Sequence, residues 1–146
     1  LGDLAELSSS LQSRLKKVQE DTKSNTGLQL TVALNYSGQW EIVNAVQRLL
    51  ASDDSVLTSP EKLTPAYFSD FMPVKLPPID LLIRTGNVKR LSNFMLWHMS
   101  YAEIYFTDCL WPDFTSQELD QAIAFYTGVE RRFGRTPQQI GDEDNA

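Results

Sequence analysis

The sequence predicts an α/β domain, with a partly parallel sheet and helices on both faces. Two observations carry this. Apolar stretches with strand character alternate with stretches of helical periodicity, and strands joined by helices form parallel βαβ units. One run, "IDLLIRT" from Ile79 to Thr85, is short and almost continuously apolar, as expected for a strand covered on both faces.

The elements follow in order. "SSSLQSRLKKVQEDTK" spaces Leu11, Leu15 and Val18 at helical intervals behind serines able to cap, and "SNTG" ends that helix. "LQLTVALNY" is β-rich and reads as a buried strand. After Ser37 and Gly38 comes a helix with an apolar stripe of Ile42, Val43, Val46, Leu49 and Leu50. A polar loop follows, and Thr64 before Pro65 is a cap and first-turn pair for a short helix. "PVKLPP" is held extended by its prolines. After the "IDLLIRT" strand, Ser92 to Glu103 reads as a helix with Phe94, Trp97 and Tyr101 on one side. "IYFTD" is a third strand. Thr115 and Glu118 fit a capping box for a last helix ending near Arg132. Residues 135–146 are polar and read as a disordered tail.

Only three strands are found, fewer than open α/β sheets usually have. The chain opens on "LGDL", as if a strand ended just upstream, so its start reads as a cut. The 146 residues are one domain's worth, and 42% hydrophobic content supports a core. The formal net charge of -6 argues against a general nucleic-acid binder. Single Cys109 and His98 exclude an internal disulfide and a His- or Cys-rich metal cluster; Cys109 reads as a small buried hydrophobe.

Against that acidic background, "RTGNVKRLSNF" gathers Arg84, Lys89 and Arg90 in one loop. Arg84 falls at the carboxyl end of a strand, where open α/β sheets bind ligands. A helix starting near Ser92 would add its hydroxyl and free N–H groups. Such a set suits a diphosphate or another polyanion. The plainer alternative is a surface loop whose arginines form ordinary salt bridges.

From Asp80 to Phe114, "DLLIRTG...RLSNFMLWHMSYAEIYFTDCLWPDF" closely resembles the signature of the cis-prenyltransferases, the undecaprenyl and dehydrodolichyl diphosphate synthases. "LGDL", "TKSNTGLQLTVALNYSGQWEIVNAV" and "ERRFG" are similar to other parts of that family. The resemblance implies the undecaprenyl diphosphate synthase-like fold, with residues 1–134 as its C-terminal part. It implies condensation of isopentenyl diphosphate with an allylic prenyl diphosphate to a (Z)-polyprenyl diphosphate, a membrane-associated product, with Mg2+ as cofactor. Arg84, Arg90 and Ser92 correspond to the isopentenyl diphosphate clamp, and Glu103 to the glutamate associated with the magnesium-bound substrate. Arg132 and Gly134 lie in the motif that reaches a partner's site in family dimers, and Asn35 matches the asparagine of the "NYGG" turn. The implied partner is a second copy or the missing N-terminal half. Aromatics across 94–114 suggest core and dimer contacts.

The chain also departs from the family. It has no "DGNGRWA" motif, so the magnesium aspartate and the allylic diphosphate loop are absent and the chain alone is expected to be inactive. "TGGE" reads Thr85-Gly86-Asn87-Val88, "NYGGR" reads "NYSGQ", and the glutamine of "LLWQ" is His98, which reads as a helix-surface or interface histidine, with a base as the alternative. Glu103 follows Ser92 by 11 residues. On a straight helix that is roughly 16 Å, so Glu103 requires a bend, a long reach or a neighbouring subunit. Two other functions stay open: a non-catalytic accessory subunit of a cis-prenyltransferase, and a standalone anion-binding module.

Overall fold

A computed structural model describes residues 1–52 and 58–130, which fall into two units. The first comprises Leu1–Lys75 with Asn93–Met95, and the second Leu76–Ser92 with the chain from Leu96 onward.

In the first unit, α1 runs Ser9–Thr22, and its cap Ser8 accepts the Leu11 N–H at 3.4 Å. No α1 residue is buried, and its stripe residues Leu11 and Val18 are exposed. Helix α2 runs Gly38–Leu50 behind Ser37, whose hydroxyl accepts the Trp40 N–H at 3.2 Å. Its buried face is Gly38, Glu41, Ala45 and Leu49, whereas Val43, Val46 and Leu50 are exposed. Apolar character alone therefore pointed about one residue away from the face that packs. Helix α3, Pro65–Ser69, starts as expected: Thr64 accepts the Tyr67 N–H at 3.2 Å and Pro65 takes the first turn. It packs against α2, and Met72 just beyond it is buried.

The "LQLTVALNY" segment is a correction. It joins no sheet, and Leu28 and Leu30 are 94% and 79% exposed. A strand exists through its neighbour, and among the described residues only the first three pair with it. The Leu1 amine donates to Val32 O at 2.9 Å and Leu34 N–H to Leu1 O at 2.8 Å, the slanted pattern of a parallel bridge. Gly2 makes this approach possible: at φ +116°, an added Cβ would lie 2.0 Å from the Leu34 carbonyl oxygen.

In the second unit, β1 (Leu81–Arg84) and β2 (Glu103–Phe106) pair in parallel, Leu81 opposite Glu103 and Arg84 opposite Phe106. All eight residues are half-buried, so β1 is not covered fully on both faces. Helix α4, Ser116–Thr127, packs on β2, with the Tyr105 and Phe125 rings 5.5 Å apart. Gly128 ends α4, ahead of the boundary expected near Arg132. The capping box does not form: Thr115 makes no side-chain cap, and Glu118 instead accepts the Thr107 hydroxyl at 3.1 Å.

The helix expected over 92–103 is also absent. The connection from β1 to β2 runs in turns, and Ser92, Asn93 and Met95 have φ of +51°, +61° and +47°. A right-handed helix cannot contain such residues.

Candidate functional site

Arg84 ends β1, at the carboxyl edge of the strand pair. Its Nε is buried and has no hydrogen-bond partner among the described residues. A buried donor left unsatisfied is costly, which makes Arg84 a candidate contact for a bound anion. Among the described residues, ion pairs join Lys17 to Asp21, Lys23 to Glu20 and Lys75 to Asp70; none uses Arg84, Lys89 or Arg90. The salt-bridge alternative therefore has no support among the described residues. Lys89, Arg90 and Ser92 are exposed.

The start of the Arg84–Ser92 loop is pinned. Thr107 N–H donates to Arg84 O at 3.0 Å, Gly86 N–H to Cys109 O at 2.8 Å, and Asn87 N–H to Thr107 O at 3.3 Å. The turn uses Gly86 at φ +87° and Asn87 at φ +55°; asparagine tolerates this region better than other non-glycine residues. These two N–H groups are spent on the 107–109 segment and are not available as anion donors. With no helix beginning at Ser92, the helix N-terminus expected there contributes nothing.

Glu103 is not brought to this place. It begins β2 opposite Leu81, whereas Arg84 lies opposite Phe106. The offset is roughly 10 Å along the strands, and the pleat sends Glu103 and Arg84 to opposite faces. Among the described residues no three His, Cys, Asp or Glu side chains cluster to hold a metal. Asn35, at φ +47°, donates its amide to Asp3 O at 3.0 Å while its own carbonyl accepts the Asp3 N–H, which is a structural duty. His98 is 8% exposed and lies in a turn, not on a helix surface, and its carbonyl accepts the Ile79 N–H at 2.9 Å. Cys109 is half-buried, less than expected. Arg132 and Gly134 lie outside the described residues.

Sequence reasoning missed the support beneath α2. The Tyr36 hydroxyl donates to Glu41 Oε2 at 2.5 Å, and Glu41 is fully buried. Trp40 and Phe94 set their ring edges against Tyr36 at 6.3 and 5.8 Å. Burial first, then the Glu41 bond and charge, push the Tyr36 phenol well above its ordinary range. The available signal was the spacing of Gly38, Glu41, Ala45 and Leu49 on one helical side, masked by the stronger apolar pattern beside it.

Residues 1–134 match the prenyltransferase family model described as "Putative undecaprenyl diphosphate synthase". A ditrans,polycis-undecaprenyl-diphosphate synthase ((2E,6E)-farnesyl-diphosphate specific) of Coxiella burnetii is 46% identical over 141 residues, which cover 96% of this chain and 60% of that protein. The like-named Escherichia coli K12 protein is 42% identical over 144 residues, covering 98% and 56%. Among solved structures, lavandulyl diphosphate synthase from Lavandula x intermedia, in complex with dimethylallyl diphosphate, superposes with a TM-score of 0.83 at 33% identity, over 92% of this chain and 58% of that one. A probable undecaprenyl diphosphate synthase from Campylobacter jejuni gives 0.77 at 35%, over 92% and 61%. The chain thus spans little more than half the length of the proteins it resembles.

Proposed function

This chain belongs to the undecaprenyl diphosphate synthase family of prenyltransferases, and from that premise we propose that it forms the isopentenyl diphosphate half of a cis-prenyltransferase site. The observation carrying the proposal is the buried Nε of Arg84 at the carboxyl end of β1, without a partner among the described residues. Arg84 and Arg90 each present a planar fork suited to phosphate oxygens, and Ser92 adds a neutral donor.

In the proposed reaction, the terminal alkene carbon of isopentenyl diphosphate bonds to the allylic carbon of a prenyl diphosphate. The allylic C–O bond breaks, diphosphate leaves, and a proton lost from isopentenyl diphosphate completes the new cis double bond; substrate diphosphate can accept it. The clamp's part is to hold the retained diphosphate so that the alkene meets the allylic carbon, a matter of positioning and electrostatics. Mg2+ would neutralise diphosphate charge. It prefers one or two carboxylates with substrate phosphates and water as the remaining ligands. Glu103 offers one carboxylate, at the wrong strand end and on the wrong face for the Arg84 loop, so no step is assigned to it here. Arg84 and Arg90, in no ion pair among the described residues, favour this reading over an accessory subunit, which needs no diphosphate clamp.

The test changes Arg84, Arg90, Ser92 and Lys89 singly to alanine in the complete protein and titrates isopentenyl diphosphate at fixed allylic substrate. Losing one arginine should cost about 2–4 kcal/mol, or roughly 30- to 10³-fold in catalytic efficiency. Lys89→Ala should cost much less. Unchanged affinity and turnover in Arg84→Ala and Arg90→Ala, or Lys89→Ala as the worst variant, would refute the assignment.

A further inference from the structure

We infer that Thr107, held by Glu118 of α4, is a positioning residue for the diphosphate loop, setting the turn that follows Arg84. This rests on the loop being the isopentenyl diphosphate clamp.

Thr107 is the first residue after β2, and every group involved lies in the second unit. Four hydrogen bonds meet on it. Its N–H donates to Arg84 O at 3.0 Å, and its carbonyl accepts the Asn87 N–H at 3.3 Å. Its hydroxyl donates to Glu118 Oε2 at 3.1 Å and accepts the Cys109 N–H at 3.2 Å. The Cys109 carbonyl in turn accepts the Gly86 N–H at 2.8 Å. A hydroxyl has one proton to give. With that proton committed to Glu118, a lone pair takes the Cys109 N–H and closes a local turn of the kind hydroxyl side chains form with the backbone two residues on. The backbone of Arg84, Gly86 and Asn87 is thus tied to the 107–109 segment, and the shape of that segment depends on the Thr107 hydroxyl.

The loop's first turn needs such support. Gly86 has φ +87° and Asn87 φ +55°, and a non-glycine residue keeps a positive φ when surrounding contacts fix it. Glu118 is in turn well placed to anchor Thr107. It stands in the first turn of α4, three residues after Thr115, where a capping box would have it serve its own helix. Thr115 makes no side-chain cap, and the carboxylate bonds Thr107 instead. Helix α4 packs on β2, with the Tyr105 and Phe125 rings 5.5 Å apart, so the acceptor sits on an element that is itself fixed. Without the hydroxyl, Glu118 and the Cys109 N–H both lose this partner. The 107–109 segment can then shift, and the turn after Arg84 shifts with it.

The alternative is that the Thr107–Glu118 bond only fastens α4 to the sheet. Phe125→Leu supplies that comparison, because it loosens α4 on β2 and removes none of the hydrogen bonds linking Glu118 to Gly86. The experiment measures binding of isopentenyl diphosphate by calorimetry to the complete protein, without allylic substrate so that nothing turns over, and thermal unfolding of each variant. Thr107→Val keeps the side chain's shape and removes both hydroxyl bonds; Thr107→Ser keeps both bonds and removes the methyl group. Thr107→Val should weaken binding about ten-fold, since small misplacements of positioned groups have large effects. Thr107→Ser and Phe125→Leu should bind within about two-fold of wild type, although Phe125→Leu unfolds at a lower temperature. Normal binding by Thr107→Val overturns the positioning role, as does weakening by Thr107→Ser or Phe125→Leu equal to that by Thr107→Val. Arg84→Ala separates the two readings. If it binds normally, the clamp itself is wrong; if it fails to bind while Thr107→Val binds normally, only the positioning role is. Should Thr107→Val not fold, Glu118→Ala removes just the 3.1 Å bond and is expected to weaken binding about three-fold, with no weakening refuting the proposal.

Discussion

Replacing Tyr36 by phenylalanine isolates one hydrogen bond in the platform that carries Asn93–Met95. The ring stays, so the edge contacts with Trp40 at 6.3 Å and Phe94 at 5.8 Å can persist. What is lost is the hydroxyl donating at 2.5 Å to Glu41, a side chain with no solvent exposure. Water cannot replace the donor without entering the core. Glu41 makes further interactions, so the loss is one bond and not its whole surroundings. A hydrogen bond to a charged group contributes about 1.5–3 kcal/mol. For a chain of this size that corresponds to a fall in Tm of roughly 5–12 °C. Urea unfolding should show a lower midpoint with an unchanged slope, meaning stability changed and the exposed area did not. The phenol also gives a pH signature. Its folded pKa is raised above the unfolded value of 10.0. The stabilisation is therefore complete below about pH 10 and is lost as pH rises through the folded pKa, because the unfolded state releases the proton first. Wild-type stability should fall above that pH more steeply than that of Tyr36→Phe. A loss below about 0.5 kcal/mol, typical of surface substitutions, together with matching alkaline profiles, would refute the Tyr36–Glu41 account.

Gly86→Ala should destabilise by about 1–2 kcal/mol in chemical denaturation: its Cβ would meet nothing within 4 Å, so the cost comes from φ +87° alone, and a neutral result would show that the turn relaxes freely. Glu103→Gln should change metal-free binding of isopentenyl diphosphate by less than about three-fold, because Glu103 and Arg84 lie at opposite strand ends; a larger loss measured by calorimetry would put the carboxylate back at the clamp. The family resemblance implies a dimer with residues 94–114 at its seam, where Tyr101, Leu110 and Trp111 are 59%, 59% and 75% exposed; on that expectation Trp111→Lys should shift the complete protein towards monomer in light scattering, and a wild-type monomer at high concentration would end it.

Local signals in the sequence were dependable where the physics is local. Ser8 and Thr64 cap α1 and α3 as expected, because a side-chain oxygen needs only N–H groups three residues away; Ser37 caps α2 in the same way, though it was not read as a cap. The β1 and β2 strands were legible from their apolar and β-branched runs. Elements that depend on distant partners were not. The 28–34 segment has strand composition, yet it is a strand only beside another. Residues 92–102 have helical periodicity, but Asn93 is drawn to the first turn of α2 and the backbone takes positive φ instead. Thr115 lost its capping box because Glu118 found Thr107. At the site, the arginines and Ser92 were visible as residue types, whereas the lack of a partner among the described residues for the buried Arg84 Nε required coordinates.

The central claim is that Arg84 donates to the diphosphate of isopentenyl diphosphate. The most direct measurement follows the 15N–1H resonance of the Arg84 Nε–H, assigned by its disappearance in Arg84→Lys, during titration with isopentenyl diphosphate and, separately, with isopentenol. A buried donor that gains a charged acceptor should move downfield and saturate with the diphosphate, and stay in place with the alcohol. An Arg84 resonance that does not respond to the diphosphate, or that responds equally to the alcohol, would contradict the account.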